Sequence, residues 1–170
     1  MSPINVGILG YGASITIFHL PFILLNPDLN VIAFLQRKEA PQGEAAVEPG
    51  TNCIVDYPNA KHYRQVDEFW TDQEIELVIV CASSERHAAL AEKALLAGKH
   101  VVVEKPFTVT SAEADKLTAL AKQQGKALTC FQNRRYDSDF LTLQHLVKIG
   151  SFGQITEFEN RYDMDNPPWI

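Results

Sequence analysis

Short apolar runs separated by amphipathic or turn-rich segments recur along the whole chain. Residues 4–9, 31–35, 77–81, 101–103 and 128–131 are rich in Val, Ile, Leu, Phe and Cys, with a weaker run at 60–63. Runs of this length bounded by turn residues have the character of strands buried on both faces. The segments between them carry helical spacing. Residues 85–97 place Ala89, Leu90, Ala94, Leu95 and Ala97 on a mostly apolar side and end at Gly98, which suits the left-handed position after a helix. Residues 111–124 open with Thr110 and Glu113 at capping-box spacing and close at Gly125. Residues 137–149 repeat Phe140, Leu141, Leu143, Leu146 and Val147 and stop at Gly150. Strands alternating with helices predict an α/β fold, a doubly wound parallel sheet with helices on both faces.

Two stretches fall outside this alternation. Residues 41–50 are rich in Pro, Gly, Glu and Ala without periodicity and read as an exposed loop or a short irregular helix. Past a turn at 151–154, residues 155–162, with Ile155, Phe158 and Tyr162 among polar positions, are expected to form a half-buried strand, and too few residues follow to supply it with partners. A lone strand leaves backbone groups unpaired on both edges. The expectation is a Rossmann-like domain over 1–130, then a linking helix and first strand of an incomplete α+β domain over 131–170. Another chain could complete that strand, so self-association through the residues after Gly150 is expected.

Composition narrows the function classes. The 170 residues are 46% hydrophobic, enough for one good core. With 15 basic and 21 acidic residues the net charge is -6, and no Lys/Arg run forms a phosphate-tracking stripe, so nucleic acid and membrane surfaces are poor partners. The three cysteines, Cys53, Cys81 and Cys130, are widely spaced beside apolar stretches and read as buried thiols in a reducing compartment. Without a leader-like N-terminus or an apolar run near membrane-spanning length, the expected location is the cytoplasm. The histidines at 19, 62, 87, 100 and 145 show no metal spacing, and no Gly-x-Ser-x-Gly surrounds Ser83 or Ser84. Neither a metal site nor acyl transfer is expected.

The chemistry begins where the first strand ends. Gly10-Tyr11-Gly12-Ala13-Ser14 follows the run Val6 to Leu9, and Gly10 and Gly12 let the backbone turn tightly and approach a pyrophosphate at the start of the next helix. This is a candidate dinucleotide cradle. Its third glycine position is Ile15, so the first helix must stand off from the strand or pack through that side chain. At the end of the second strand, Gln36-Arg37-Lys38 puts no carboxylate at the tip, and Glu39 comes late. NAD sites place an acid there for the ribose hydroxyls, whereas Arg suits a 2'-phosphate, so NADP(H) is favoured over NAD(H). The alternative is that Arg37 and Lys38 are solvated turn residues.

With these residues in view, and above all with Glu104-Lys105-Pro106 after Gly98-Lys99-His100, the chain resembles the Gfo/Idh/MocA oxidoreductase family. The resemblance also rests on Phe18-His19-x-Pro21-Phe22, on Cys81-Ala82-Ser83-Ser84-x-x-His87 and on Gln132-Asn133-Arg134-Arg135-Tyr136. It implies an N-terminal nucleotide-binding domain and a C-terminal open sheet whose face covers the nicotinamide. Gly10, Tyr11, Gly12, Ala13, Ser14, Arg37, Lys38, Cys81, Ala82, Ser83, His87, Glu104, Lys105 and Pro106 are then the cofactor-side residues. Lys105 corresponds to the family's catalytic lysine, able to stabilise a developing alkoxide or orient a carbonyl. Pro106 corresponds to a proline often preceded by a cis bond. Ala82-Ser83-Ser84 departs from the family's usual Thr-Pro-Asn turn.

His87 has a structural alternative, hydrogen bonding to backbone, and the residues alone favour it. Arg134, Arg135 and Tyr136 are candidates for the substrate end of the cleft, with a plain surface charge pair as the equal alternative. The family's acid/base motif, Asp-x-x-x-His, has no counterpart in this sequence. The expected function is therefore the nucleotide-binding portion of an NADP-dependent oxidoreductase acting on a sugar, polyol or related carbonyl compound, catalytically incomplete as it stands. A non-catalytic dinucleotide-sensing regulator of the same family is the alternative.

Overall fold

The computed structural model describes residues 2–38, 48–161, 163 and 165. The strands are β1 (Ile4–Leu9), β2 (Leu29–Leu35), β3 (Lys61–Tyr63), β4 (Leu77–Val80), β5 (His100–Val103) and β6 (Leu128–Cys130). All pair in parallel in the order β3-β2-β1-β4-β5-β6, which is the doubly wound arrangement the alternation predicted. The chain order reverses between β1 and β4, so their carboxyl ends open the crevice where ligands bind in such sheets.

Helices cover the two faces unequally. A π-helical turn, Ile15–His19, runs into α1 (Leu20–Ile23), and α2 (Cys53–Asp56) follows the second strand. Their buried Ile15, Leu20, Ile23 and Cys53 pack with Val6, Ile8, Phe34 and Ile79. The opposite face carries α3 (Val66–Thr71), α4 (Ser84–Leu96) and α5 (Ser111–Gln124), and its larger core joins Phe69, Leu90, Leu95 and Leu117 to Leu35, Val78, Val80, Val101 and Val103. Gly7 in β1 is required by this packing, because a Cβ there would meet Phe69 at 2.8 Å and Ile75 at 2.9 Å.

The capping box of α5 forms as its spacing predicted. The Thr110 hydroxyl accepts the Glu113 amide, the Glu113 carboxylate accepts the Thr110 amide, and Gly125 takes a left-handed φ of 63°. On α4 the buried stripe is His87, Leu90, Ala91, Ala94 and Leu95. Ala89, expected on that face, is exposed, since it lies a step out of the three-and-four spacing that the other positions keep. Cys53 is buried in α2, but Cys81 and Cys130 are only half-buried, because each sits where its strand leaves the sheet.

The chain folds as two compact units, one over 1–132 and another over 133–170. The second contains a 3-10 turn, Asn133–Tyr136, and α6 (Ser138–Lys148), none of whose residues is buried. The strand expected over 155–162 does not form among its described residues: 155–161 have no ladder and are exposed. Ile155 and Phe158 are three apart and do not share a strand face, and an isolated strand has no partner for its backbone groups and little apolar area to bury. Position 162 and most of the expected loop at 41–50 lie outside the described residues.

Candidate functional site

Three loops meet at the carboxyl edge of the sheet, after β1, β4 and β5. Gly10 leaves β1 with φ +100°, and a Cβ on it would overlap the Cys81 carbonyl oxygen at the end of β4. Both the backbone angle and the close approach require glycine here. Gly12 differs: nothing lies within 4 Å of where its Cβ would point, so the space over the turn is open. The Gly12 carbonyl accepts the Ile15 and Thr16 amides at 2.9 and 3.2 Å, which leaves the amides of Gly12, Ala13 and Ser14 at the mouth of the helical segment. An open backbone turn with helix-start amides fits a pyrophosphate.

Ile15 stands where a third glycine is usual, and the sequence left two outcomes for it. It is fully buried among Val6, Ile8 and Phe34, so the helical segment packs on the sheet through this side chain. Tyr11 turns its ring onto Phe34 and Tyr57, and its hydroxyl donates to Asp56 at 2.8 Å. Burial first, then the Asp56 hydrogen bond and charge, push its phenol well above the ordinary range. Asp56 also accepts the Gly50 amide at 2.9 Å, tying the loop after β2 to the glycine turn.

At the β5 end, Glu104 is buried and both of its oxygens are engaged. Oε1 accepts from His19 Nε2 at 2.8 Å, and Oε2 accepts the Lys105 amide at 2.9 Å. Burial alone would raise this carboxyl, but the His19 and Lys105 hydrogen bonds and charges outweigh it and hold it below the usual carboxylate range. His19 is itself buried and lies against Phe131, with ring centroids 4.0 Å apart. The Lys105–Pro106 peptide is cis, as the resemblance implies, and the Lys105 side chain is exposed at the edge of the sheet.

His87 is fully buried, with Nδ1 2.7 Å from the Pro106 carbonyl and Nε2 2.9 Å from the Ala82 carbonyl. Both nitrogens lie against backbone carbonyls, which matches the structural alternative for this residue. It fastens the turn after β4, which carries Ala82 and Ser83, to the turn after β5. The Cys81 thiol, hydrogen-bonded to Ser14, is pushed up to about 11, chiefly by burial and further by the Glu104 charge. It stays a neutral thiol rather than a nucleophile.

At the end of β2 the Gln36 amide is held by backbone: its Nε2 donates to the Thr51 carbonyl at 3.0 Å and its Oε1 accepts the Cys53 amide at 2.9 Å. Arg37 and Lys38 beyond it are exposed, and Glu39 lies outside the described residues. Arg134, Arg135 and Tyr136 form the 3-10 turn of the second unit, where Arg134 pairs with Asp137 at 2.9 Å and Tyr136 is exposed. Among the described residues no cluster of His, Cys, Asp or Glu could hold a metal, and no helix is long and apolar enough to cross a membrane. Sequence reasoning gave no side-chain partner to His19, Gln36 or Asp56. For His19 there was one usable signal, a polar residue set between the apolar positions Ile15, Leu20 and Ile23.

Comparison with known proteins agrees with this geometry. The model of an oxidoreductase family with an NAD-binding Rossmann fold, the Gfo/Idh/MocA group, matches residues 4–132. The oxidoreductase YhhX of Escherichia coli is 39% identical over 165 residues, which are 96% of this chain and 45% of that protein. An NADP(+)-dependent scyllo-inositol 2-dehydrogenase, IolW of Bacillus subtilis, is 34% identical over 164 residues, 96% of this chain and 43% of that one. Among solved structures, an oxidoreductase from Bacillus cereus superposes with a TM-score of 0.75 at 32% identity, covering 88% of this chain and 41% of the other. The chain thus spans less than half the length of the relatives it matches.

Proposed function

This chain belongs to the Gfo/Idh/MocA family of oxidoreductases with an NAD-binding Rossmann fold, and from that membership we propose that it is the cofactor-binding portion of an NADP-dependent oxidoreductase. Its substrate class is a sugar, polyol or related carbonyl compound. The observation that carries the reading is the open turn at Gly12 beside the Gly10–Cys81 contact, with Lys105 on the neighbouring loop of the same edge. A bound nicotinamide dinucleotide supplies hydride chemistry. Gly12, Ala13 and Ser14 receive its pyrophosphate through backbone amides while Gly10, its own amide held by the Leu35 carbonyl, shapes the turn, and the exposed Arg37 and Lys38 bind a 2'-phosphate that the uncharged Gln36 does not repel. The turns carrying Ala82, Ser83 and Pro106 line the nicotinamide end, where the Lys105 ammonium stabilises a developing alkoxide or orients a carbonyl.

The substrate class is supported by the inositol dehydrogenase among the relatives, and Arg134, Arg135 and Tyr136 are proposed for the substrate end. The division into a dinucleotide-binding domain over 1–130 and the start of a second domain, the cytoplasmic location and self-association through residues after Gly150 belong to the same proposal. The chain by itself is expected to bind the dinucleotide without turning it over. The test is a Gly12→Val variant. The open space at Gly12 lets the side chain in without disturbing the fold, so the thermal midpoint should hold while NADPH affinity, read by nucleotide fluorescence, falls at least about tenfold, or ~1.4 kcal/mol. Unchanged affinity would place any dinucleotide elsewhere.

A further inference from the structure

The first helical segment carries one residue more than an α-helix would on its inner face. In an α-helix, Ile15 would share its face with one position of the pair His19 and Leu20, and then with Ile23. Here both His19 and Leu20 are buried, at 3% exposure each, and the turn between Ile15 and His19 is π-helical. The wider turn presents an apolar residue to the sheet and a polar one to Glu104. π-Turns cost hydrogen-bond geometry and occur mostly as single turns at functional places. The wider turn brings Leu20, five residues after Ile15, onto the face that packs on the sheet, and lets His19 beside it meet Glu104.

We infer that His19 is a positioning residue for the Glu104-Lys105-Pro106 turn. It donates to Glu104 Oε1, the other oxygen of Glu104 receives the Lys105 amide, and the backbone of the lysine is thereby fixed by the helical segment that begins at the glycine turn. The contact spans 85 residues of sequence and lies inside the protein, where water does not compete for the bond. Phe131, beyond β6, backs the imidazole ring. Pyrophosphate cradle and lysine are then placed by one continuous strut from Gly12 through His19 to Glu104. The inference rests on the proposed function only in giving Lys105 a task. The brace itself is made entirely of this chain's own groups.

Two substitutions separate the brace from mere packing. His19→Gln keeps an N–H donor toward Glu104, whereas His19→Phe keeps ring volume against Phe131 and has no donor. The Lys105 amide proton reports the brace directly in NMR spectra, and the Glu104 carboxyl carbon reports its titration. The ionisable groups near that carboxyl are His19 on the π-turn, Lys105 beside it, and Cys81 and Cys130 at the ends of β4 and β6.

In His19→Phe the Lys105 amide resonance should move, the Glu104 titration midpoint should rise, and NADPH binding should weaken by about tenfold. His19→Gln should restore all three toward the unmodified chain. A folded His19→Phe with an unmoved Lys105 amide and Glu104 titration would overturn the inference, as would a His19→Gln no better than His19→Phe. If His19→Phe does not fold, His19→Asn, whose donor is too short to reach, takes its place with the same expectations. If the unmodified chain binds no NADPH, the cofactor reading fails while the Lys105 amide and Glu104 carboxyl still decide the brace.

Discussion

Gly10 combines two constraints that only glycine meets at once. Its φ of +100° lies where L side chains rarely go, and a Cβ would run into the Cys81 carbonyl. Gly10→Ala should therefore cost more than about 2 kcal/mol, since the strained backbone alone costs ~1–3 kcal/mol. The denaturation midpoint checks this, and a cost near zero would mean that the turn can rearrange. Gly12 is the complement, a glycine the fold does not need and an open cradle does. Both were visible in Gly10-Tyr11-Gly12 as a pair, but the sequence could not assign them these different tasks, because one is set by a strand end that arrives only at Cys81. Long separation in sequence likewise hid the partner of His19, whose carboxylate lies 85 residues on. Tyr11 carries a further task that its place between two glycines did not show: its hydroxyl serves Asp56.

Among the elements, those defined by local chemistry were legible and those defined by partners were not. The strand Ile4–Leu9 and the helix Ser111–Gln124 carry their own boundaries in apolar runs, a capping box and a left-handed glycine. The weak strand Lys61–Tyr63 also forms, because β2 offers it a parallel edge. Residues 155–161 stay out of any ladder, since Ile155 and Phe158 stand three apart rather than on one strand face and no neighbouring strand offers them an edge. The π-turn was not legible, as the two contacts made across it, Leu20 to the sheet and His19 to Glu104, are both long-range. Ile15 tests this view of the first helical segment. Replacing it with a smaller residue moves the turn toward the usual glycine pattern, yet the side chain is fully buried. Ile15→Ala should destabilise by about 2–5 kcal/mol through the cavity it opens, measured by chemical denaturation. A variant as stable as the parent would show that the helical segment does not depend on this contact.

For the molecule as a whole, acid stability follows from its hydrogen-bonded carboxylates and ligand choice from the basic residues after β2. Glu104 and Asp72 are both held below the ordinary carboxylate range. In each, burial pushes upward and is outweighed, at Glu104 by His19 and the Lys105 amide, at Asp72 by Tyr63, the Glu74 amide and Lys61. A depressed carboxyl contributes stability that is complete above its unfolded-state value and is lost as pH falls through its lower folded-state value. Unfolding free energy should thus decline on the acid side, and Glu104→Gln should flatten that decline. An acid limb identical in the variant would remove Glu104 from the account. The central claim, however, is a dinucleotide cradle that prefers a 2'-phosphate, and calorimetric titration of the chain with NADPH and separately with NADH tests it most directly. NADPH should bind at least about tenfold tighter, or ~1.4 kcal/mol, and Arg37→Ala should erase the difference while leaving NADH binding in place. Equal affinity for the two, or binding of neither, would contradict it.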